Sequence, residues 1–154
     1  WYYQQIDLGF NYRMTELQAA IGVSQMTRLD EFVAKRHWLA RRYDELLFNL
    51  PIELPKQHPD CYSGLHLYVI RLRLDKISVS RREVFDFLRA QGIGVNVHYI
   101  PVYRQPYYSS KNYSTECYPQ AEQYYAQAIS LPIFQTMTTE QQDRVVVALS
   151  EALS

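Results

Sequence analysis

Residues 65 to 100 set down three elements whose order leaves few folds open. The run LHLYVIRLRL, Leu65 to Leu74, mixes β-branched and aromatic residues and alternates near its end, which predicts a strand. A helix follows from Arg81 to about Gln91. Ser80 and Glu83 form its capping box, Val79 and Val84 its hydrophobic staple, and Gly92 its stop. Gly94 to Ile100 (GVNVHYI) alternates again and predicts a second strand. A strand, helix and strand in about 35 residues imply an α/β layer.

The flanks are helical. From Thr15 to Leu50, apolar residues including Leu17, Ile21, Leu29, Phe32, Val33, Leu39, Tyr43 and Leu46 recur at helical spacing. Thr15 and Gln18 spell a capping box and Pro51 is the expected stop. The span exceeds an ordinary globular helix, so a bend is expected at Gly22 or around Asp30. Two more helices are expected, one opening with Pro119 at its first position and ending before Pro132, the other starting at Thr138 with Gln141 completing its cap. Between Pro101 and Pro119 the chain is rich in Tyr, Ser and Pro and lacks periodicity, which marks a functional or mobile segment.

At 154 residues the chain is long enough to bury a real core, and one domain is the default. Sixteen basic and sixteen acidic side chains cancel, so there is no global field to attract nucleic acid or an anionic membrane. Cys61 and Cys117 are too few for a disulfide framework and lack metal-site spacing, which favours a reducing, cytoplasmic setting. No apolar run reaches the roughly 20 residues that span a bilayer. The opening WYYQQIDLGFNYR reads like the interior of a longer protein, so the chain is expected to be a fragment.

Self-contained catalytic signatures are missing. Gly22-Val23-Ser24-Gln25-Met26 lacks the closing glycine of a nucleophile elbow, and Gly92-Ile93-Gly94 precedes a strand instead of following one. His37, His58, His66 and His98 are scattered; only His98 stands at a strand end that opens onto a loop, where sites are commonly assembled. Eight of the 14 tyrosines fall between Tyr99 and Tyr125. A tyrosine ring suits a sugar, a uracil base or a protein interface, and ordinary packing explains any single one equally well. Gly9 to Thr15 places Asn11, Tyr12 and Arg13 before a helix N-terminus, where an amide and a guanidinium fit a phosphate. On spacing alone, a loop capped by its own polar groups fits better.

GFNYRMTELQAAIGVSQMTRLDEF, KRHWLARRYDELL, HLYVIRL, GVNVHYIPVYRQPYY and AEQYYAQAISLPIF occur in that order along the chain. Together they resemble the C-terminal part of the DegT/DnrJ/StrS sugar aminotransferases, with the nucleotide-sugar 4-aminotransferases of pseudaminic acid biosynthesis as the nearest likeness. The resemblance implies the α/β small domain of the type I aminotransferase fold: a long N-terminal helix, then a small sheet with helices on one face. Residues 1–14 would be the segment entering from a large domain outside the chain, and 15–154 the small domain. It implies pyridoxal 5′-phosphate, held mainly by the large domain, and amino transfer from glutamate to a UDP-linked 4-keto-6-deoxysugar, the cofactor acting as electron sink. A homodimer with shared active sites is implied as well.

Carried over by motif, Asn11 matches the asparagine that reaches the cofactor phosphate of the neighbouring subunit. Arg13 matches an arginine serving substrate phosphates or the interface. His98 and Tyr99 match a His-Tyr pair beside the substrate pocket, and one of Tyr103, Tyr107 and Tyr108, with Tyr103 foremost, is expected to line it. The Schiff-base lysine belongs to a motif upstream of GFNYR, and none of Lys35, Lys56, Lys76 and Lys111 stands in such a context, so the chain alone is expected to be inactive. Two rivals remain: a dimerisation or nucleotide-sugar-binding domain without chemistry, and a small ligand-sensing domain of ferredoxin-like type.

Overall fold

The computed structural model describes residue 10, residues 12–109 and residues 118–154. Two compact units emerge, residues 1–31 and residues 32–154. In the first, helix α1 (Glu16–Met26) starts at the expected capping box: the Gln18 backbone N–H donates to Thr15 Oγ1 at 3.3 Å and the Thr15 N–H to Gln18 Oε1 at 2.9 Å. No residue of α1 is buried, and Leu17, Ile21, Val23 and Met26 are all exposed.

The long helical pattern resolves into α1 and a second helix, α2 (Leu29–Leu47), and the interruption falls at Thr27–Arg28, away from Gly22 and just ahead of Asp30, at the second of the two expected places. There the Arg28 N–H bonds Gln25 O, three residues back, and the Thr27 hydroxyl donates to Ser24 O at 2.8 Å. Such bonds tighten the last turn and end the i to i−4 ladder without a glycine. Helix α2 closes at Leu47, before Pro51, whose ring disfavours helical backbone at Leu50.

The second unit is built on a three-stranded antiparallel sheet, order β1-β2-β3, from β1 (Ile52–Glu53), β2 (Tyr68–Leu72) and β3 (Ala128–Leu131). Ile52 pairs with Leu72, Tyr68 with Leu131 and Ile70 with Ile129. The central strand starts three residues later than its composition suggests, because Leu65 has φ near +44°, outside the extended region. Helix α3 (Arg81–Ala90) carries the expected Ser80/Glu83 box and stops at Gly92, whose φ of +75° suits a residue without Cβ.

The second expected strand does not form. Gly94–Ile100 contributes one bridge, Asn96 to Ser130, and the partner of the central strand comes instead from Ala128–Leu131, which had read as the end of a helix. Helix α5 (Pro119–Gln127), with Pro119 at its first position, passes directly into β3. Between lie a 3₁₀ turn (Val102–Arg104) and a short helix, α4 (Pro106–Ser109). Helix α6 (Thr139–Ala152) begins at the Thr138/Gln141 box.

The core gathers Leu39, Tyr43 and Leu47 of α2, Tyr68, Ile70 and Leu72 of β2, Val84 and Leu88 of α3, Ile129 of β3 and Val145 and Leu149 of α6, all at most 3% exposed. Each such aliphatic side chain contributes about 1.5–3 kcal/mol on burial. The two buried tyrosines meet at 4.9 Å between ring centroids and keep their hydroxyls satisfied: Tyr43 donates to Pro132 O at 3.0 Å and Tyr68 to Asp44 at 2.6 Å. Burial pushes both phenols well above their ordinary value. Among the described residues no helix is long and apolar enough to cross a membrane, and no group of His, Cys, Asp or Glu could hold a metal ion.

Candidate functional site

After the Gly92 turn, Ile93 and Val95 point into the core and fix the path of the chain. Asn96 then exchanges both backbone hydrogen bonds with Ser130, its N–H to Ser130 O at 3.3 Å and the Ser130 N–H to its carbonyl at 2.8 Å. This bridge sets His98 beside β3, where Nδ1 lies 2.7 Å from the hydroxyl of Ser130, a residue only 4% exposed. The Asn96 side-chain nitrogen stands 3.5 Å from Nε2. Assigned from this pattern, the ring carries its proton on Nδ1, donates it to Ser130 Oγ and keeps Nε2 as acceptor.

Tyr99 meets His98 edge to face, with centroids 4.6 Å apart and planes at 84°, and is 71% exposed. The peptide bond joining them is cis. The pair offers an imidazole held on Ser130, whose Nε2 faces only the long contact from the Asn96 amide, and an open aromatic face, a combination suited to hydroxyl groups and a flat ring. Tyr107 and Tyr108, further along, contact each other edge to face at 5.1 Å and are both exposed.

Tyr103 is used differently. Its hydroxyl donates to Glu122 Oε1 of α5 at 2.8 Å, and its ring stacks on Tyr118 at 4.7 Å. Arg104 donates to the same carboxylate, from Nε to Oε1 at 2.9 Å and from a second nitrogen to Oε2, while its guanidinium lies 5.3 Å from the Tyr125 ring centroid. The other side of this cluster is Arg81, at the start of α3, 4.8 Å from that ring. Burial and the bond to Glu122 raise the Tyr103 phenol above its ordinary value. Burial works to raise Glu122, but the bonds from Tyr103 and Arg104, with the Arg104 charge, outweigh it and hold the carboxyl below its usual range.

Of the residues singled out from sequence, the structure thus joins His98 to Tyr99 and ties Tyr103 to α5 with its hydroxyl engaged inside the protein. Arg13 belongs to the first unit, ahead of α1, and is exposed. Asn11 lies outside the described residues, as do Lys111 and Cys117. Sequence reasoning missed Asn96, Ser130, Arg104 and Glu122. Ser130 and Glu122 both sit in the stretch AEQYYAQAISLPIF, singled out only as a pattern, and their roles depend on partners 18 to 32 residues away.

Residues 1–150 match the DegT/DnrJ/EryC1/StrS aminotransferase family. The spore coat polysaccharide biosynthesis protein SpsC of Bacillus subtilis (strain 168) is 34% identical over 98% of this chain and 40% of its own length. Among solved structures, S. venezuelae DesV in complex with a ketimine intermediate superposes with a TM-score of 0.84 at 33% identity, covering 97% of this chain and 39% of that one. Helicobacter pylori PseC, an aminotransferase of pseudaminic acid biosynthesis, gives a TM-score of 0.82 at 25% identity over 97% of this chain and 40% of its own. The chain spans about 40% of the length of these relatives.

Proposed function

Since the chain belongs to the DegT/DnrJ/EryC1/StrS aminotransferase family, we propose that it supplies the sugar-facing part of a pyridoxal 5′-phosphate-dependent aminotransferase. The reaction is amino transfer from glutamate to the keto group of a nucleotide-linked 4-keto-6-deoxysugar. The observation that carries this reading is the His98-Tyr99 pair, held against Ser130 and open on its outer side, in a chain that follows sugar aminotransferases along nearly its whole length. Polysaccharide or glycan biosynthesis is the setting, as the name of SpsC suggests for that relative. The UDP-linked 4-keto sugar of the pseudaminic acid route is the first acceptor to try, and the cytoplasm the compartment.

The cofactor supplies an electron sink for the transfer. The start of α1 suits its phosphate end: the first turn of a helix carries N–H groups without intrahelical partners, and Arg13, two residues before the Thr15 cap, is exposed. Asn11 would add an amide. The Schiff-base lysine comes, in this reading, from the part of the relatives that this chain does not cover, and the site is completed across a homodimer. Towards the acceptor, His98 Nε2 accepts a hydrogen bond from a sugar hydroxyl in place of the Asn96 amide and so orients it, while Tyr99 covers the ring.

The test is to express the complete reading frame that encodes this chain and record its visible absorption. An imine band that disappears on addition of glutamate and returns on addition of a UDP-4-keto sugar, with an amino sugar detected by mass, is the expected result. A folded dimer that shows no such band overturns the enzyme reading and leaves a dimerisation or sugar-nucleotide-binding domain.

A further inference from the structure

Helix α5 passes without a break into β3, so Glu122 and Ser130 stand eight residues apart on one continuous piece of backbone. Each grips a different end of the same stretch. Ser130 holds His98 by its side-chain hydroxyl and Asn96 by its backbone, whereas Glu122 holds Tyr103 and Arg104. We propose that Glu122 is a positioning residue that fixes the 3₁₀ turn Val102–Arg104, and with it the setting of Tyr99 between His98 and that turn, for binding of the acceptor sugar nucleotide. This rests on the aminotransferase reading for the identity of the ligand, but not for the anchoring itself.

The chemistry suits an anchor. One carboxylate collects three donors from two adjacent residues, and bonds of a charged acceptor are stronger and more directional than neutral ones. Two ring contacts brace the same turn, Tyr103 on Tyr118 and Arg104 on Tyr125. Between the two anchors the side chains are open to solvent, Tyr99 and Val102 more than 60% exposed and Ile100 46%, and Tyr99 packs on His98. A turn released from α5 would leave Tyr99 held on its His98 side alone, while His98 stayed on Ser130. Positioned aromatic faces bind with less ordering cost than mobile ones, so the loss should fall on acceptor affinity.

Two readouts separate the anchor from its use. The first is amide hydrogen exchange on the complete protein that contains this chain, for the wild type, Glu122→Gln and Glu122→Ala, with the β2 strand, residues 68–72, as the control for folding. Exchange across 101–109 is expected to rise several-fold in Glu122→Ala and less in Glu122→Gln, which keeps one acceptor oxygen, while 68–72 is unchanged. Unchanged exchange across 101–109 in Glu122→Ala overturns the anchor. The second is kinetics in the complete enzyme: KM for the keto-sugar nucleotide should rise roughly tenfold, with the glutamate half-reaction unaffected. A fall in kcat with acceptor KM unchanged refutes the assignment to acceptor binding. A wild-type enzyme inactive on every sugar nucleotide, alongside raised exchange in Glu122→Ala, overturns the function reading and leaves the anchor standing.

Discussion

Gln142 is the fully buried polar side chain where α6 crosses α2, and its replacement offers a quantitative test of how that junction is held. Its amide nitrogen donates to Leu39 O at 2.8 Å, and its oxygen accepts from an Arg42 guanidinium nitrogen at 3.1 Å. Arg42 also bonds Asp143 at 2.6 Å. Gln142→Leu keeps the volume and deletes both bonds. The Leu39 carbonyl still receives its helical N–H from Tyr43, and Arg42, partly exposed, keeps Asp143 and gains water, so neither group is left orphaned. Two bonds at about 1 kcal/mol each, partly offset by burying an apolar side chain, give a loss of about 0–1 kcal/mol. Gln142→Ala deletes the same bonds and leaves a cavity between two helices, for a loss of about 2–4 kcal/mol. Urea denaturation followed by the fluorescence of Trp38, which sits on α2, measures both. If Leu proves as costly as Ala, the hydrogen bonds and not the packing hold α2 to α6, and the reasoning fails.

Other consequences are as direct. Gly92→Ala meets no atom within 4 Å, so its cost is purely the left-handed backbone at φ +75°, about 1 kcal/mol in a denaturant titration; a neutral result would mean the turn readily adopts another conformation. Ser130→Ala removes the hydroxyl that orients His98 and should cost about 0.5–1.5 kcal/mol, with the His98 ring resonances moving towards those of a mobile imidazole. Resonances that stay in place would place the ring's restraint elsewhere. Glu83 is held below its ordinary value of 4.5 by the backbone N–H and hydroxyl of Ser80. A lowered folded-state pKa means this cap stabilises above the ordinary Glu range and its contribution is lost as pH falls through the lowered value, so Glu83→Gln should flatten the acid side of the Tm–pH curve. Parallel acid limbs in the two proteins would contradict this.

Three helix starts were legible because each is closed within four residues. Thr15 with Gln18, Ser80 with Glu83 and Thr138 with Gln141 are each a complete pair of reciprocal hydrogen bonds, and the surrounding chain need only permit them. The sheet was legible only in its central strand. Ala128–Leu131 is buried at all four positions, so it shows no alternation, and it follows α5 without a turn residue. Gly94–Ile100 alternates well yet makes a single bridge, Asn96 to Ser130, on the outer edge of β3. At the site, His98 and Tyr99 were readable as a pair, whereas Tyr103, read as facing the ligand, spends its hydroxyl on Glu122.

The sequence by itself determined the caps, the helix periods, the central strand and the family, because these live in short-range hydrogen bonds and in ordered motifs. Tertiary structure decided which edge of the central strand each neighbour takes and which polar groups meet across 18 to 32 residues. A strand edge is satisfied by whichever segment the packed core brings to it, and a carboxylate by whichever donors arrive within about 3 Å. Neither choice is made until the hydrophobic faces have closed, so neither is written in local spacing.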